Sequence, residues 1–310
     1  MGRAAAFPRV RARARRTAPA VLAMLAGLST LALARCGRPR ALVVGSKNFT
    51  EQTILGEIAA QQLERRLGAR VTRRLDLGGT LLAHEALVAG DIDLYPEYTG
   101  TAWSSVLRLP PPPDPGAVFA RVASEYRSRW KLVWLRPLGF DDTFALVIRG
   151  ADARASGIAT LGDAARRKRG WRLGVGYEFL DRPDGLAGLQ RAYALPLAGS
   201  PRTMDLGLLY KALEADEVDM IAANATDGLL SVLDVVVLAD DRRSFPPYEA
   251  AFVVRSEALA REPRARAALE ELSGTLTAAR MRRLNEEVAG EHRRPADVAR
   301  EFLESLPKPR

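Results

Sequence analysis

The chain has one cysteine, Cys36, and two histidines, His84 and His292. A single cysteine excludes an intrachain disulfide. Neither histidine sits in an H-x-x-x-H or Cys/His spacing, so no zinc site is expected. G-x-G-x-x-G, a Walker loop and G-x-S-x-G are all missing, which removes the common nucleotide-binding and serine-hydrolase signatures. Aromatic residues are scarce, at 6%. The stretch "DIDLYPEYTGTAW", residues 91–103, therefore stands out, because it gathers two tyrosines and a tryptophan beside a Pro-Glu step. An excess of positive charge is also largely missing from the body. The formal charge is +9, but seven arginines and no acid lie in residues 1–36, and the remainder holds 39 basic against 37 acidic residues. That leaves no phosphate-backbone footprint, and no nucleic-acid partner is expected.

What is there begins with a leader. An arginine-rich start runs into the apolar, uncharged "APAVLAMLAGLSTLALA", residues 18–34. A basic region, a short apolar core and small residues after it make a signal peptide over 1–36 and place the mature chain outside the cytoplasmic membrane. The competing reading is a spanning helix, for which the run is at the lower edge of length. Cys36 directly follows and suggests a lipid-modified N-terminus. Arg35 is unfavourable for that site, and Ala32 and Ala34 fit an A-x-A cleavage instead. Arg15-Arg16 raises a twin-arginine signal, which the following residues fit poorly.

The body reads as alternating strands and helices. "ALVVG" (41–45) is a short buried strand, "TEQTILGEIAAQQLERRLG" a helix ended by Gly68, "RVTRRLDLG" a strand, "GTLLAHEALVAG" a helix and "DIDLYPEY" a strand entering a loop. This order predicts an α/β sheet with helices on its faces. "LPPPPDPG" (109–116) is a rigid surface loop. A second unit starts at "WRLGVG" (171–176). "ALVAGDIDLYPEYTG" from Ala86 aligns without a gap on "ALEADEVDMIAANAT" from Ala212, an offset of 126 that sets Tyr98 opposite Asn224. Two related α/β lobes would leave such a trace. "FDDTFALVIRG" (140–150) and "FPPYEAAFVVRS" (245–256) also resemble each other and read as the strands by which the chain leaves the first lobe and returns.

These segments resemble a known family. "GSKNFTEQ" (45–52), "DIDLYPEYTGTAW", "GFDDTFALVIR" (139–149), "MDLGLLYKALEADEVDM" (204–220), "TDG" (226–228) and "FPPYEAAFVVR" (245–255) are similar to the substrate-binding proteins of osmoprotectant ABC importers, the glycine betaine, carnitine and choline receptors. The resemblance runs from Ala41 to Leu306. It implies an α/β two-lobed periplasmic-binding-protein fold of type II, with a cleft between the lobes and two hinge crossings. The lobes would be 41–144 with the return segment 248–308, and 145–247. It implies a non-catalytic, cofactor-free, monomeric receptor served by a permease and a separate ATPase. Carried over by motif, the ligand's aromatic cage falls on Tyr98, Phe144, Asn224 and Tyr248. The family usually has tyrosine at the second and third of these. Gln52 and Thr101 fall on positions that reach the ligand's polar end. The usual Asn pair before the second aromatic is Asp141-Asp142 here.

The cage has a physical logic of its own. A quaternary ammonium has no N–H to donate, and its charge is attracted to the negative faces of aromatic rings at about 0.5–2 kcal/mol per contact. Asn224 removes one ring, for a cost of about 1–2 kcal/mol or roughly tenfold in affinity. Betaine binding is thus expected to be weak or altered, or the pocket is reshaped for another cation with Asp141 or Asp142 supplying charge. Each residue also has a plainer role open to it. Tyr98 and Tyr248 are candidates for strand-end packing, Gln52 for a first helical turn, Thr101 for a cap, Asn224 for a turn, and the two aspartates for caps or pairs. Trp103 reads as core. The rival functions are a tetrapyrrole-forming transferase, which needs a cysteine inside the fold, and a regulator's sensor domain, which needs a DNA-binding domain. A third is a receptor for an amino acid or polyamine, using Arg202 and Asp142 as clamps.

Overall fold

The structure is a computed structural model that describes Gly2 and residues 40–307 except 111 and 113. The expected leader, Cys36 and two prolines of the 109–116 loop lie outside these residues.

The first sheet is built from β1 (Val43–Gly45), β2 (Thr72–Arg74), β3 (Leu94–Tyr98), β4 (Leu132–Trp134) and a strand from far downstream, β10 (Ala250–Arg255), in the order β2-β1-β3-β10-β4. β1 pairs in parallel with β2 and β3, and β10 runs antiparallel to β3 and β4. Parallel neighbours require crossovers. Helix α1 (Thr50–Leu67) joins β1 to β2, and α2 (Thr80–Ala89) joins β2 to β3. α1 stops because Gly68 takes φ +65°, and its N–H closes on the Glu64 carbonyl. Helix α3 (Val118–Trp130) precedes β4. Ile54, Leu55, Ile58 and Leu63 of α1 pack on one face of the sheet, and Tyr95, Tyr126 and Trp134 on the other. A sheet covered on both faces explains the apolar runs of β1, β4 and the interior of β10. Trp103 is buried in the second of these clusters, and its indole N–H donates to the Pro110 carbonyl at 2.6 Å. His84 packs edge-on against Tyr126 and Trp130, and burial pushes its pKa down to about 4.

Pro96 lies inside β3, a central strand, where a missing N–H is normally costly. Thr99 N–H bonds to the Glu249 carbonyl and Arg255 N–H to the Asp93 carbonyl, so the odd-numbered residues of β3 face β10. The even ones face β1, which ends at Gly45, opposite the step after Leu94. Pro96 lies beyond the single pair, Val44 with Leu94, that joins β3 to β1. The Tyr98 N–H, on the same side, is met by Glu97 Oε1 at 2.7 Å.

The second sheet contains β5 (Phe144–Arg149), β6 (Leu173–Val175), β7 (Arg202–Thr203), β8 (Met220–Asn224) and β9 (Val235–Val237), in the order β7-β6-β8-β5-β9. Helices α4 (Tyr177–Asp181) and α5 (Leu186–Tyr193) follow β6, and α6 (Leu206–Glu214) leads into β8. Helices α7 (Ala278–Ala289) and α8 (Pro295–Ser305) follow β10 and contribute Met281, Leu284, Val298 and Phe302 to the core against α1. The chain passes from one sheet to the other between Trp134 and Phe144, and back between Val237 and Ala250.

The two sheets have one topology. Adding 126 carries the start of α2 to that of α6, and both ends of β3 to both ends of β8. Tyr98 pairs with Ala250 and Asn224 with Phe144, each across an antiparallel neighbour. One anchor also repeats. Asp93 Oδ2 accepts the Val43 N–H at 2.9 Å and its Oδ1 pairs with Arg261 at 2.9 Å. Asp219 Oδ2 accepts the Arg172 N–H at 3.0 Å and its Oδ1 pairs with the Arg172 guanidinium at 2.6 Å. The aspartates just before β3 and β8 thus pin the strands beside them.

Burial raises the Asp219 carboxyl, but the Arg172 side-chain and backbone donors outweigh it and hold the group at about 2. A depressed folded-state pKa stabilises above the unfolded value near 4 and is lost as pH falls through 2. Asp219→Asn should therefore cost about 1–2 kcal/mol at pH 7. In urea titrations the deficit should shrink progressively below pH 4.

Candidate ligand-binding cleft

A cleft of about 840 Å³ lies between the two sheets and their helices. It takes residues from the β1–α1 loop, the end of β3, the start of β5, α4 and the turn after it, the end of β8, and the segments before β10 and along α7. These are strand ends and crossovers, where open α/β sheets leave a crevice.

Of the residues singled out in the sequence, Tyr98, Thr101, Asp142, Phe144, Asn224 and Tyr248 all line this cleft. Gln52 does not. It is fully buried one layer behind, with Oε1 accepting the Lys47 N–H at 3.2 Å and Nε2 without a partner. Asp141 also lies outside the wall and accepts the Tyr248 N–H at 2.7 Å, so it positions the ring beside it. Arg202 lies on the surface, paired with Glu217 at 3.0 Å, and supplies no clamp.

Three aromatic rings come from three distant segments. Phe144 meets Tyr248 edge-on at 5.7 Å between centroids and Phe179 at 4.8 Å. Tyr98 stacks with Phe49 at 6.4 Å. The Tyr98 hydroxyl donates to Glu51 Oε1 at 2.6 Å, which fixes the ring plane. Tyr248 is set by a close backbone approach. A Cβ at position 100 would sit 2.7 Å from its Cδ1 and 2.8 Å from the Pro247 carbonyl, so glycine is required there. The offset repeat puts Asn224 where the first lobe has Tyr98, and on that side the cleft is lined by Tyr210 of α6, whose hydroxyl shares Asp227 with the Asn224 N–H.

Two cations over these rings were not singled out in the sequence. Lys47 Nζ is 5.0 Å from the Tyr98 centroid, pairs with Glu97 Oε1 at 2.5 Å and donates to Thr80 Oγ1 at 3.2 Å. The Arg182 guanidinium lies 4.9 Å from the Phe144 centroid and 5.3 Å from that of Tyr248. It donates to Thr101 Oγ1 at 2.9 Å and to the Tyr248 hydroxyl at 3.0 Å, and it pairs with Asp184 at 2.7 Å. Arg182 therefore reaches from the second lobe into the first. Nothing in "FLDRPDG" beyond its neighbour Asp184 marks it, because the partners that place it in the cleft, Thr101 and Tyr248, lie 81 and 66 residues away. A second bridge runs from Glu178, which accepts the Thr80 N–H at 2.6 Å. Burial raises the Glu178 carboxyl, but the nearby Lys47 charge and the Thr80 donors bring it below its ordinary value.

The remaining wall is acidic. Thr226 Oγ1 is 2.5 Å from Glu51 Oε2 and 2.7 Å from Asp142 Oδ1. A hydroxyl has one proton, so it donates to one carboxyl and accepts from the other, which must itself be protonated. Glu51 already accepts from Tyr98 and from Asn285 Nδ2 at 2.9 Å, so the proton belongs on Asp142. Burial, then the Glu51 charge, push the Asp142 carboxyl well above its ordinary value. Asp227 accepts from the Tyr210 hydroxyl at 3.0 Å and the Asn224 N–H at 3.2 Å, and burial raises it to about 6. Among the described residues, no lysine or arginine pairs with Glu51, Asp142 or Asp227.

The family model for the substrate-binding domain of ABC-type glycine betaine transport systems matches residues 40–305. The chain belongs to that family. A glycine-betaine-binding protein of Pseudomonas aeruginosa is 35% identical over 90% of this chain and 91% of its own. An ergothioneine transport permease/ergothioneine binding protein of Helicobacter pylori is 36% identical over 86% of this chain, which spans about half, 47%, of that relative. A crystal structure described as a glycine betaine/carnitine/choline ABC transporter superposes with a TM-score of 0.72 at 28% identity, over 85% of this chain and 97% of the other. The fold is the type II periplasmic-binding-protein fold of these ABC substrate-binding domains, as expected from the motifs. No helix among the described residues is long and apolar enough to cross a membrane.

Of the acidic wall, Asp227 costs stability at neutral pH. Asp227 has its pKa raised from 3.8 to about 6, so its contribution to stability is full below pH 4 and is lost as pH rises through 6. Asp227→Asn keeps an acceptor for Tyr210. It should raise stability at pH 7.5 by about 1–2 kcal/mol, since water reaches part of the side chain, and should flatten the pH dependence of Tm between 4 and 6. An unchanged profile would place the titration elsewhere.

Proposed function

We propose that the protein is an extracytoplasmic solute receptor that delivers a small quaternary-ammonium osmoprotectant, of the glycine betaine, choline or carnitine kind, to an ABC permease powered by a separate ATPase chain. The leader over 1–36, with cleavage after Ala34 or lipid attachment at Cys36, belongs to the same reading, as does a monomeric, non-catalytic, cofactor-free mode of action. So do lobes made of 41–144 with 248–308 and of 145–247, moving about two crossings.

The observation that carries it is the set of ring faces from Tyr98, Phe144 and Tyr248 around one cleft, with Lys47 and Arg182 beside them. The rings suit a methylated cation, which offers no N–H. The two cations suit a carboxylate at its other end. Arg182 now covers two of the rings, so a ligand cation takes its place as the guanidinium turns toward the ligand's carboxylate. Thr101, which accepts from Arg182, sits at that polar end. Gln52 acts behind it through the Lys47 backbone. Ligand bound between the lobes favours the closed form, which the permease reads.

Titration calorimetry with purified protein should detect binding of at least one of glycine betaine, carnitine and choline. Tyr98→Ala and Tyr248→Ala should each weaken it about tenfold or more. Arg182→Ala should cost the two carboxylate-bearing ligands several-fold more than choline. Failure of every quaternary amine to bind would remove this reading.

A further inference from the structure

The turn after β8 meets helices α1 and α7 at three points. Arg282 Nε of α7 donates to the Ala225 carbonyl at 2.7 Å, and Asn285 Nδ2 donates to the Thr226 carbonyl at 2.8 Å. Neither bond changes with pH near neutrality, because a guanidinium and an amide do not titrate there. The third contact is different. Thr226 Oγ1 stands 2.5 Å from Glu51 Oε2 and 2.7 Å from Asp142 Oδ1. Glu51 lies in the first turn of α1, and Asp142 in the passage from β4 to β5, two residues before β5 begins. One hydroxyl therefore ties together a helix packed on the first sheet, a turn of the second and the segment that crosses between them.

Two carboxylates cannot both make this contact. The hydroxyl has one proton to give, and a second anionic oxygen would face its lone pairs at hydrogen-bond distance. Both acids and Thr226 are buried, so bulk water does not screen them. The groups around the pair do not neutralise it either. Tyr98 of β3 and Asn285 of α7 donate to Glu51, while Asp227, in the same turn, is a third acid and takes the hydroxyl of Tyr210 from α6. Asp141 turns away to the Tyr248 N–H. Lys47 is paired with Glu97, and Arg282 is spent on the Ala225 carbonyl. What closes the contact is a proton.

We propose that Glu51, Thr226 and Asp142 form a proton-operated latch between the lobes, which close with uptake of one proton and open with its release. This rests on the lobe motion of the receptor function proposed above and adds its regulation. When the lobes part, the Thr226 hydroxyl leaves Glu51 and water reaches both acids. They return toward the ordinary carboxylate range near 4 and lose the proton to solvent. A group that binds its proton more tightly in the closed form favours closure as pH falls. One such proton changes the closed-to-open ratio by up to about tenfold per pH unit. Asparagine, usual at position 142 in the family motif, would donate to Thr226 at any pH; aspartate makes the bond conditional.

Small-angle X-ray scattering on the purified chain tests this without a ligand. Between pH 8 and pH 5 the radius of gyration should fall as the closed form gains. Asp142→Asn should be as compact at pH 8 as the natural chain is at pH 5, with no further response to pH. Thr226→Val should stay open across the range, and Thr226→Ser should restore the response. Asp227→Asn should keep it, since that acid lies outside the contact. A radius that does not change with pH, or a response abolished by Asp227→Asn and not by Asp142→Asn, overturns the latch. Glycine betaine, carnitine and choline, added at pH 8, separate the two readings. Compaction by any of them beside a ligand-free protein indifferent to pH removes the latch and leaves the receptor. A pH response with no compaction by any of them keeps the latch and removes the quaternary-amine receptor.

Discussion

A carboxylate taken out of water must find a positive partner, a set of donors or a proton. That constraint orders the whole molecule. Asp93 and Asp219 meet it with arginines and backbone N–H groups, and so fix the strands. Glu97 meets it with Lys47, and Asp184 with Arg182. Glu51 and Asp142 have no cation and settle it with one proton passed along the Thr226 hydroxyl. The first group holds the scaffold and the second places cations over the rings. The third leaves a wall short of positive charge at the cleft.

The scaffold is symmetric and the cleft is not. Two sheets of one topology, in register at a constant offset, bring corresponding strand ends to the same crevice. Where one lobe ends its strand on Tyr98, the other ends on Asn224. Duplication therefore supplies the geometry, and single substitutions at strand ends give the cleft its polarity. Because the ladder register is set by the apolar strand interiors, such end positions can change type without moving the sheet.

Much of this was legible in the sequence. Alternating β and α segments, Gly68 as a helix stop and the offset of 126 are local or periodic signals; the helices follow them to within a residue or two, while the strands are shorter than read, Thr72–Arg74 within 70–78 and Leu94–Tyr98 within 91–98. The family motifs marked Tyr98, Phe144 and Tyr248, and all three line one cleft. Lys47 and Arg182 stayed hidden. A buried cation is recognised by its partners, and those of Lys47 lie 33 and 50 residues away, on other elements. Gln52 shows the opposite case. Its motif position is right next to the site, yet the side chain turns toward the Lys47 backbone and not into the cleft. Asp141 and Asp142 were indistinguishable as a pair. Strand geometry separates them, sending one to the Tyr248 backbone and its neighbour to the cleft wall.

The bridges across the cleft also bear on closure. Arg182 to Thr101 and Tyr248, Glu178 to Thr80, and Thr226 to Glu51 already join the lobes through the protein's own groups. A ligand shifts the balance of open and closed forms only by what it adds to the closed one. Here Arg182 already occupies two ring faces, so a methylated cation gains only the difference between its own ring contacts and those of the guanidinium it displaces. That difference is small for a single contact of this kind. Closure driven by the ligand must then draw on groups that the protein leaves unsatisfied, and among the described residues lining the cleft Asn285 offers one in its buried Oδ1.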